Sequence, residues 1–463
     1  MALSGAPARW ETDGGPVEVA REIGSSGQST RYETSDRALL VVLHPRDAGH
    51  AERLAQRLSS VRRLDLTGLP LSRPYRLLRR PQIGYTTDPI TGLVPLGNLL
   101  SPATAANFVV WYAATGGLQR RLRLLARVAA AIARLHDHGL AYGDPAPTNI
   151  LVPADETTTT GQAAADEPVW LTDVHGVTLD AEMRMPPDVT VGYAAPDVLS
   201  GRHGVSSLSD AFAFAVLAFH VLAATHPFLG DAVYDHDRLL RDKGYTGLLP
   251  WVEHTTNGSN RCRYGVPREW VLTPALRTLF EEAFEGGLWN PSARPTVGQW
   301  RDALFTAAGT TLVCERCRNG FYGAGAACPW CGDTAPPALR GRVHLDLCDD
   351  RGAALSRVTQ TDDVTVQRDR VTPVAAGLVT FDSGDPMRPV AALRFERGGA
   401  LTVYNRWNRP LWVVAPGGAP QLVVEPSADS AIPSAGDGRW ELHFGPAMLT
   451  HRLIEFVPVA GTA

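Results

Sequence analysis

Two aspartates and an asparagine are set in an order that can do chemistry. Asp144 stands five residues before Asn149, and Asn149 leads directly into the apolar run Ile150-Leu151-Val152. Asp173 follows twenty-four residues after Asn149, at the end of Val169-Trp170-Leu171-Thr172, and opens Asp173-Val174-His175-Gly176. An Asp-x4-Asn pair with a strand-borne Asp-x-x-Gly can place three oxygen ligands around a nucleotide's magnesium and phosphates. The plainer reading is that Asp144 and Asn149 cap turns.

Four cysteines form a second group. Cys314-Glu315-Arg316-Cys317 and Cys328-Pro329-Trp330-Cys331 are separated by ten residues. Two C-x-x-C pairs at this distance close a tetrahedral thiolate site, so the expected ion is a structural zinc with no open position. The alternatives are a redox pair or disulfides. Gly320, Gly323, Gly325 and Gly332 are expected to supply the turns that aim backbone amides at the sulfurs. Cys262 and Cys348 stand alone. His44, His136, His138 and His226 read as packing or turn residues.

These groups need elements to position them. Residues Val17 to Pro45 read as short antiparallel strands with a small-residue turn at Gly24-Ser25-Ser26-Gly27. Asp47 to Leu64 has helical periodicity, with Leu54, Leu58 and Val61 on one face. Ile83 to Val94 reads as strand, turn and strand. Leu118 to His138 is a long amphipathic helix, and Asp210 to Ala224 is apolar all round, as a buried helix is. Further helices are expected near Pro274 to Phe284 and Val297 to Ala307. Thr157 to Ala165 reads as a surface loop. Beyond Ala338, short runs such as Leu401 to Tyr404, Leu411 to Val414, Gln421 to Val424 and Trp440 to Phe444 suggest a β-sandwich.

At 463 residues the chain suits two or three domains. A net charge of −4 gives no reason to expect nucleic acid or anionic membrane as a partner. No signal peptide or spanning run is evident, so a cytoplasmic protein is expected. Lys243 is the only lysine among 44 basic residues. A genome-wide base bias accounts for this, yet no other position can do what a lysine amine does.

In order and spacing, Val17 to Ala307 resembles the protein kinase superfamily, in particular bacterial kinase-like proteins with Gly-Asp in the catalytic loop and a zinc ribbon downstream. By that likeness Asp144 matches the catalytic base, and Asn149 and Asp173 match magnesium ligands. Gly192-Tyr193-Ala194-Ala195-Pro196-Asp197 resembles the end of the activation segment. Arg294, in Asn290-Pro291-Ser292-Ala293-Arg294-Pro295, matches the arginine that pairs with the acid at Asp197. His226-Pro227-Phe228 resembles a turn of the large lobe. The implied architecture is α+β: a bilobal protein-kinase-like fold, a zinc ribbon and an all-β, sandwich-like domain. Residues 1–16 are expected as an extension, and 17–308 as the kinase-like domain. Its small lobe covers about 17–100 and its large lobe about 101–308. The ribbon is 309–337 and the β-rich domain 338–463. The last loosely resembles forkhead-associated sandwiches, without that family's arginine and serine recognition residues in place.

The chain departs from the family at the phosphate anchor. The lysine of the third strand aligns with Val41 in Leu39-Leu40-Val41-Val42-Leu43. Arg31, on the preceding strand, is the candidate substitute cation, or else a solvated surface residue. Glu52 is the glutamate available to pair with such a cation, or else a surface charge of the helix. Gly24 and Gly27 are all that remains of a glycine-rich loop, and a plain hairpin turn explains them as well. Val174 and His175 replace the usual Phe-Gly, with Gly176 supplying flexibility one residue late. Tyr142-Gly143 removes the arginine before the catalytic aspartate.

The expected cofactors are zinc, and ATP with magnesium or manganese. The expected role is intracellular signalling by a pseudokinase or weakly active atypical kinase, with protein partners reached through the ribbon and the β-rich domain. Arg406 and Arg409 are candidates for an acidic partner or are solvated turn residues. The alternatives are an active atypical serine/threonine kinase or nucleotidyl transferase, and a zinc-ribbon nucleic-acid binder.

Overall fold

The computed structural model describes residues 9–101, 107–154, 168–180, 188–235, 238–323, 327–382, 384–418, 422–433 and 438–458. The stretch 157–165, read as a loop, lies outside the described residues, as does Gly325. The chain is a mixed α+β protein with several sheets.

The N-terminal part builds a six-stranded antiparallel sheet. Its strands are β1 (Arg9–Thr12), β2 (Gly15–Ser25), β3 (Ser29–Thr34), β4 (Leu39–Leu43), β5 (Arg76–Leu77) and β6 (Ile83–Thr87), in the order β1-β2-β3-β4-β6-β5. Strand β1 lies inside the stretch expected to be an extension. Trp10 explains this, because it packs on an outer cluster of Val19, Tyr32, Leu40, Val42 and Leu78. Strand β4 alternates between two apolar faces: Leu40 and Val42 join that cluster, while Leu39, Val41 and Leu43 face helix α1 (Ala48–Val61) and the main core. Asp47 caps α1 by accepting from the His50 amide, and Leu54, Leu58 and Val61 are buried as the periodicity required.

The strand pair expected over Ile83 to Val94 is divided between sheets. Strand β6 stays in the first, whereas β7 (Leu93–Pro95) pairs with β9 (Ile150–Pro153), which pairs with β10 (Trp170–Leu171). Between them come α2 (Phe108–Ala114), α3 (Gly117–Asp137) and β8 (Leu140–Ala141), which pairs with β11 (Thr178–Leu179). A helical body follows: α4 (Pro196–Leu199), α5 (Ser207–Ala223), α6 (Asp231–Asp235), α7 (Arg238–Tyr245), α8 (Arg268–Val271), α9 (Pro274–Glu281) and α10 (Val297–Gly309). Ser206 and Ser209 form a capping box that starts α5, which is buried along nearly its whole length. Aromatic rings lock α5 to α9 and α10: Phe219 meets Phe280 at 5.3 Å, and Phe280 meets Trp300 at 4.6 Å between ring centroids.

A short hairpin, β12 (Thr311–Val313) and β13 (Gly320–Tyr322), carries the first cysteine knuckle. Two antiparallel sheets follow around their own core. The larger contains β14 (Ala338–Cys348), β15 (Ala354–Gln367), β19 (Leu411–Val414), β20 (Leu422–Val424), β22 (Trp440–His443) and β23 (His451–Pro458), in the order β15-β14-β23-β22-β19-β20. The smaller orders β16 (Val371–Ala375), β17 (Pro389–Phe395), β18 (Leu401–Asn405) and β21 (Asp429–Ile432). Val343, Val364, Leu393, Val403, Ile454 and Phe456 lie in the core between them. Among the described residues no helix is long and apolar enough to cross a membrane.

Candidate functional site

Asp144, Asn149 and Asp173 are carried by the loops around β8, β9 and β10. Asp210, fully buried in the first turn of α5, sets the first loop by accepting from the backbone amides of Tyr142 at 2.6 Å and Gly143 at 2.9 Å. His136 Nε2 lies 3.0 Å from the same carboxylate. Gly143 has φ +96°, and a Cβ there would stand 2.5 Å from the Gly176 carbonyl oxygen, so the crossing of these loops admits only glycine. The Tyr142 hydroxyl donates to the Thr172 carbonyl at 2.6 Å and ties the loop to the residue before Asp173.

Asn149 is buried and donates from Nδ2 to Asp144 Oδ2 at 2.8 Å. Thr190 holds the same carboxylate, its amide donating to Oδ1 at 2.8 Å and its hydroxyl to Oδ2 at 2.6 Å. Burial pushes the Asp144 carboxyl up to about 6, against the lowering effect of the Thr190 and Asn149 hydrogen bonds; the Asp173 charge pushes it further up.

Asp173 adopts a left-handed conformation, φ 54°. Its Oδ1 lies 3.6 Å from Arg31 Nη2. Arg31 stands opposite Val41 in the β3–β4 register, and Val41 stands opposite Tyr85 on β6. Arg31 thus sits one strand away from Val41 and lies beside Asp173.

Glu52 does not join this group. It pairs with Arg80 at 2.8 Å on the open face of α1, where both side chains are about half exposed. Helix α1 turns different residues inward: His50 Nε2 and Arg57 Nη1 lie 2.9 and 3.3 Å from Asp188 Oδ2, and Arg46 joins the same carboxylate. The helical period placed Glu52 two residues from the inward His50, too far round the helix to share its face. Asp188 carried no signal in the sequence.

Gly24 and Gly27 flank the β2–β3 hairpin. Neither has a positive φ, and a Cβ at either would meet nothing within 4 Å, so the turn itself does not demand glycine. Gly176 has no positive φ, which falls instead on Asp173, and it lies in the close approach to Gly143. Asp197 and Arg294 form an ion pair with both side chains almost wholly buried, and Arg294 also donates to the Gly287 carbonyl at 2.7 Å. A cavity of about 300 Å³ between α1 and β5–β6 is lined by Ala55, Leu58, Leu77 and Gly84; Asp144, Asn149, Asp173 and Arg31 do not line it.

The four cysteines converge. Cys314 and Cys331 sulfurs are 3.6 Å apart, and Cys317 and Cys328 sulfurs 3.7 Å. Zinc–sulfur bonds of about 2.3 Å in a tetrahedron require sulfurs about 3.8 Å apart, so the set fits zinc. The two knuckles repeat one backbone pattern. Arg318 and Gly332 amides donate to the Cys314 and Cys328 carbonyls at 3.1 and 2.8 Å, and the Cys314 and Cys328 amides donate to Asn319 and Asp333 carbonyls. The left-handed position after each second cysteine is Arg318 (φ 64°) in one knuckle and Gly332 (φ 76°) in the other. Gly320 does not make a turn; it lets β13 approach Leu118 and Gln119 of α3. Amides of Asn319, Trp330 and Asp333 face the sulfurs of Cys317, Cys328 and Cys331.

The ribbon is built into the molecule. Trp330 stacks on Tyr112 with ring centroids 5.0 Å apart and meets Trp270 edge-on at 5.2 Å. The Tyr322 hydroxyl donates to the Val271 carbonyl at 2.9 Å. On the other side the Gln367 side chain bonds both backbone groups of Val313.

His44, His136, His138 and His226 each have a hydrogen-bond partner in the protein, as a packing or turn role requires. Arg406 and Arg409 lie over the rings of Tyr404 and Trp407. No family model and no curated protein matches this chain.

Proposed function

We propose that residues 17–308 form a protein kinase-like unit that binds a magnesium nucleotide and transfers phosphate weakly or not at all. The observation that carries this reading is the meeting of Arg31 with Asp173, beside an Asp144 bonded to Asn149. Asn149 and Asp173 would hold the magnesium, Arg31 and the amides near Gly24 and Gly27 would meet phosphate oxygens, and Asp144 would accept a substrate proton. The metal supplies charge neutralisation of the phosphates when bound.

Two features support weak transfer. Val41 cannot replace a lysine, and Arg31 is engaged with the very carboxylate that must take the metal. Thr190 bonds to both oxygens of Asp144, so it competes with a substrate hydroxyl for that carboxylate. One feature favours the active alternative: a carboxyl titrating near 6 is suited to general-base work. Zinc in the cysteine set would fold the ribbon and dock it, leaving no position for catalysis.

The test is the intact mass of the purified chain after incubation with ATP and magnesium or manganese, beside Asp173→Ala. An unchanged mass together with saturable nucleotide binding is expected. A phosphate or AMP adduct that Asp173→Ala abolishes would establish an active transferase; absence of nucleotide binding would remove the kinase-like reading.

A further inference from the structure

The outer face of the larger C-terminal sheet carries a second set of ligating side chains. Asp346 on β14, His451 on β23 and His443 on β22 stand on three adjacent strands, with Asp346 opposite His451 in register. One ligand atom from each lies within 4.8 Å of the others, and both histidines are buried.

The outer nitrogen of each ring is committed. His451 Nδ1 lies 2.6 Å from the Leu449 carbonyl oxygen, and His443 Nε2 lies 2.9 Å from Glu441 Oε2. A carbonyl and an ionised carboxylate only accept, so each of these nitrogens carries its ring's hydrogen. With both rings neutral, the inner nitrogens, His443 Nδ1 and His451 Nε2, are lone pairs, and they face each other at 2.7 Å. Two lone pairs at that distance repel unless a positive species lies between them.

The surrounding charge favours a cation. Arg357 on β15 donates to both Asp346 oxygens at 2.7 and 2.9 Å and also bonds Glu441. Two carboxylates against one guanidinium leave a net negative charge beside the lone pairs. A carboxylate behind one imidazole and a carbonyl behind the other is also the arrangement that orients metal-bound histidines.

We propose that Asp346, His443 and His451 form a second metal site, separate from the cysteines, for a divalent transition ion of the zinc class. Two imidazoles and a carboxylate are a donor set such ions accept, and three protein ligands leave a position open. Nitrogens bound to one zinc stand about 3.3 Å apart, so the rings must separate by roughly half an ångström to admit it. The competing occupant is a single proton shared by the two rings.

The experiment uses the full chain with its cysteine site loaded. After dialysis against zinc and desalting, elemental analysis should find two zinc per chain, one for each cluster. The double variant His443→Ala, His451→Ala should retain one, and Asp346→Asn should weaken the second about tenfold or more. One zinc in the unaltered chain would overturn the proposal. Because buried substitutions can unfold the domain, ring nitrogen NMR of the unaltered chain gives a second reading. Zinc should shift His443 Nδ1 and His451 Nε2 together. Unmoved signals with a doubly protonated ring would identify the occupant as a proton and overturn the metal site.

Discussion

Arg31 Nη2 and Asp173 Oδ1 lie 3.6 Å apart, joining a β3 cation to the aspartate that follows β10 across 142 residues of chain. The pair is partly exposed, so its own contribution to stability is small. In the proposed reading each partner would contact a magnesium nucleotide.

Arg31→Ala should therefore change binding more than folding. In the proposed reading it lowers magnesium–nucleotide affinity by about tenfold to a hundredfold, the range for one charged hydrogen bond. Titration calorimetry checks the affinity, and urea unfolding should shift by less than about 1 kcal/mol.

The Asp144 carboxyl should titrate near 6, well above its ordinary value of 3.8. The folded chain then holds this proton more tightly than the unfolded chain. The resulting stabilisation is present below 3.8 and is lost as pH rises through about 6. It amounts to roughly 2–3 kcal/mol. Thr190→Val removes a hydrogen bond that favours the charged form and should move the titration higher. Carbon NMR of the carboxyl reads both shifts; a normal titration in the unaltered protein would refute the assignment.

Breaking the Asp197–Arg294 pair should cost about 3–5 kcal/mol, because either residue alone leaves a buried charge. Arg294→Ala and Asp197→Ala should each lower the unfolding midpoint sharply. The double variant should lose clearly less than their sum, as chemical denaturation will show.

Gly143→Ala and Gly27→Ala make a contrasting pair. The first sets a methyl 2.5 Å from a carbonyl oxygen at positive φ and should cost about 2–3 kcal/mol or prevent folding. The second meets open space and should leave the melting temperature nearly unchanged. Thermal melts of the two variants decide this directly.

Removing zinc should free Trp330. Its ring is held by Tyr112 and Trp270, and its indole N–H donates to the Gly320 carbonyl at 3.0 Å. Chelation, or Cys331→Ser, should shift tryptophan emission to longer wavelength. No change would mean that the knuckles hold without metal.

Much of this was legible along the chain, for identifiable reasons. The thiolate spacing is local chemistry, and the sulfurs converge as it required. The buried face of α1, the long α3 and the wholly apolar α5 follow from periodicity, which needs no partner to be read. The strand at Arg9 escaped notice because its single strong signal, Trp10, gains meaning only against Tyr32 and Leu40. Residue type left Glu52 open between an inward pair and a surface charge, and the angle around the helix decides for the surface.

The sequence by itself determined which residues carry ligating atoms, where the apolar faces lie, and that β4 carries no lysine. Only the tertiary structure decided which of those atoms meet. Asp188 gains Arg46, His50 and Arg57 as partners from in and around α1, and Asp346, His443 and His451 assemble from three strands. The physical reason is that local spacing constrains neighbours along the chain, while register and packing bring together residues whose separation in sequence carries no signal.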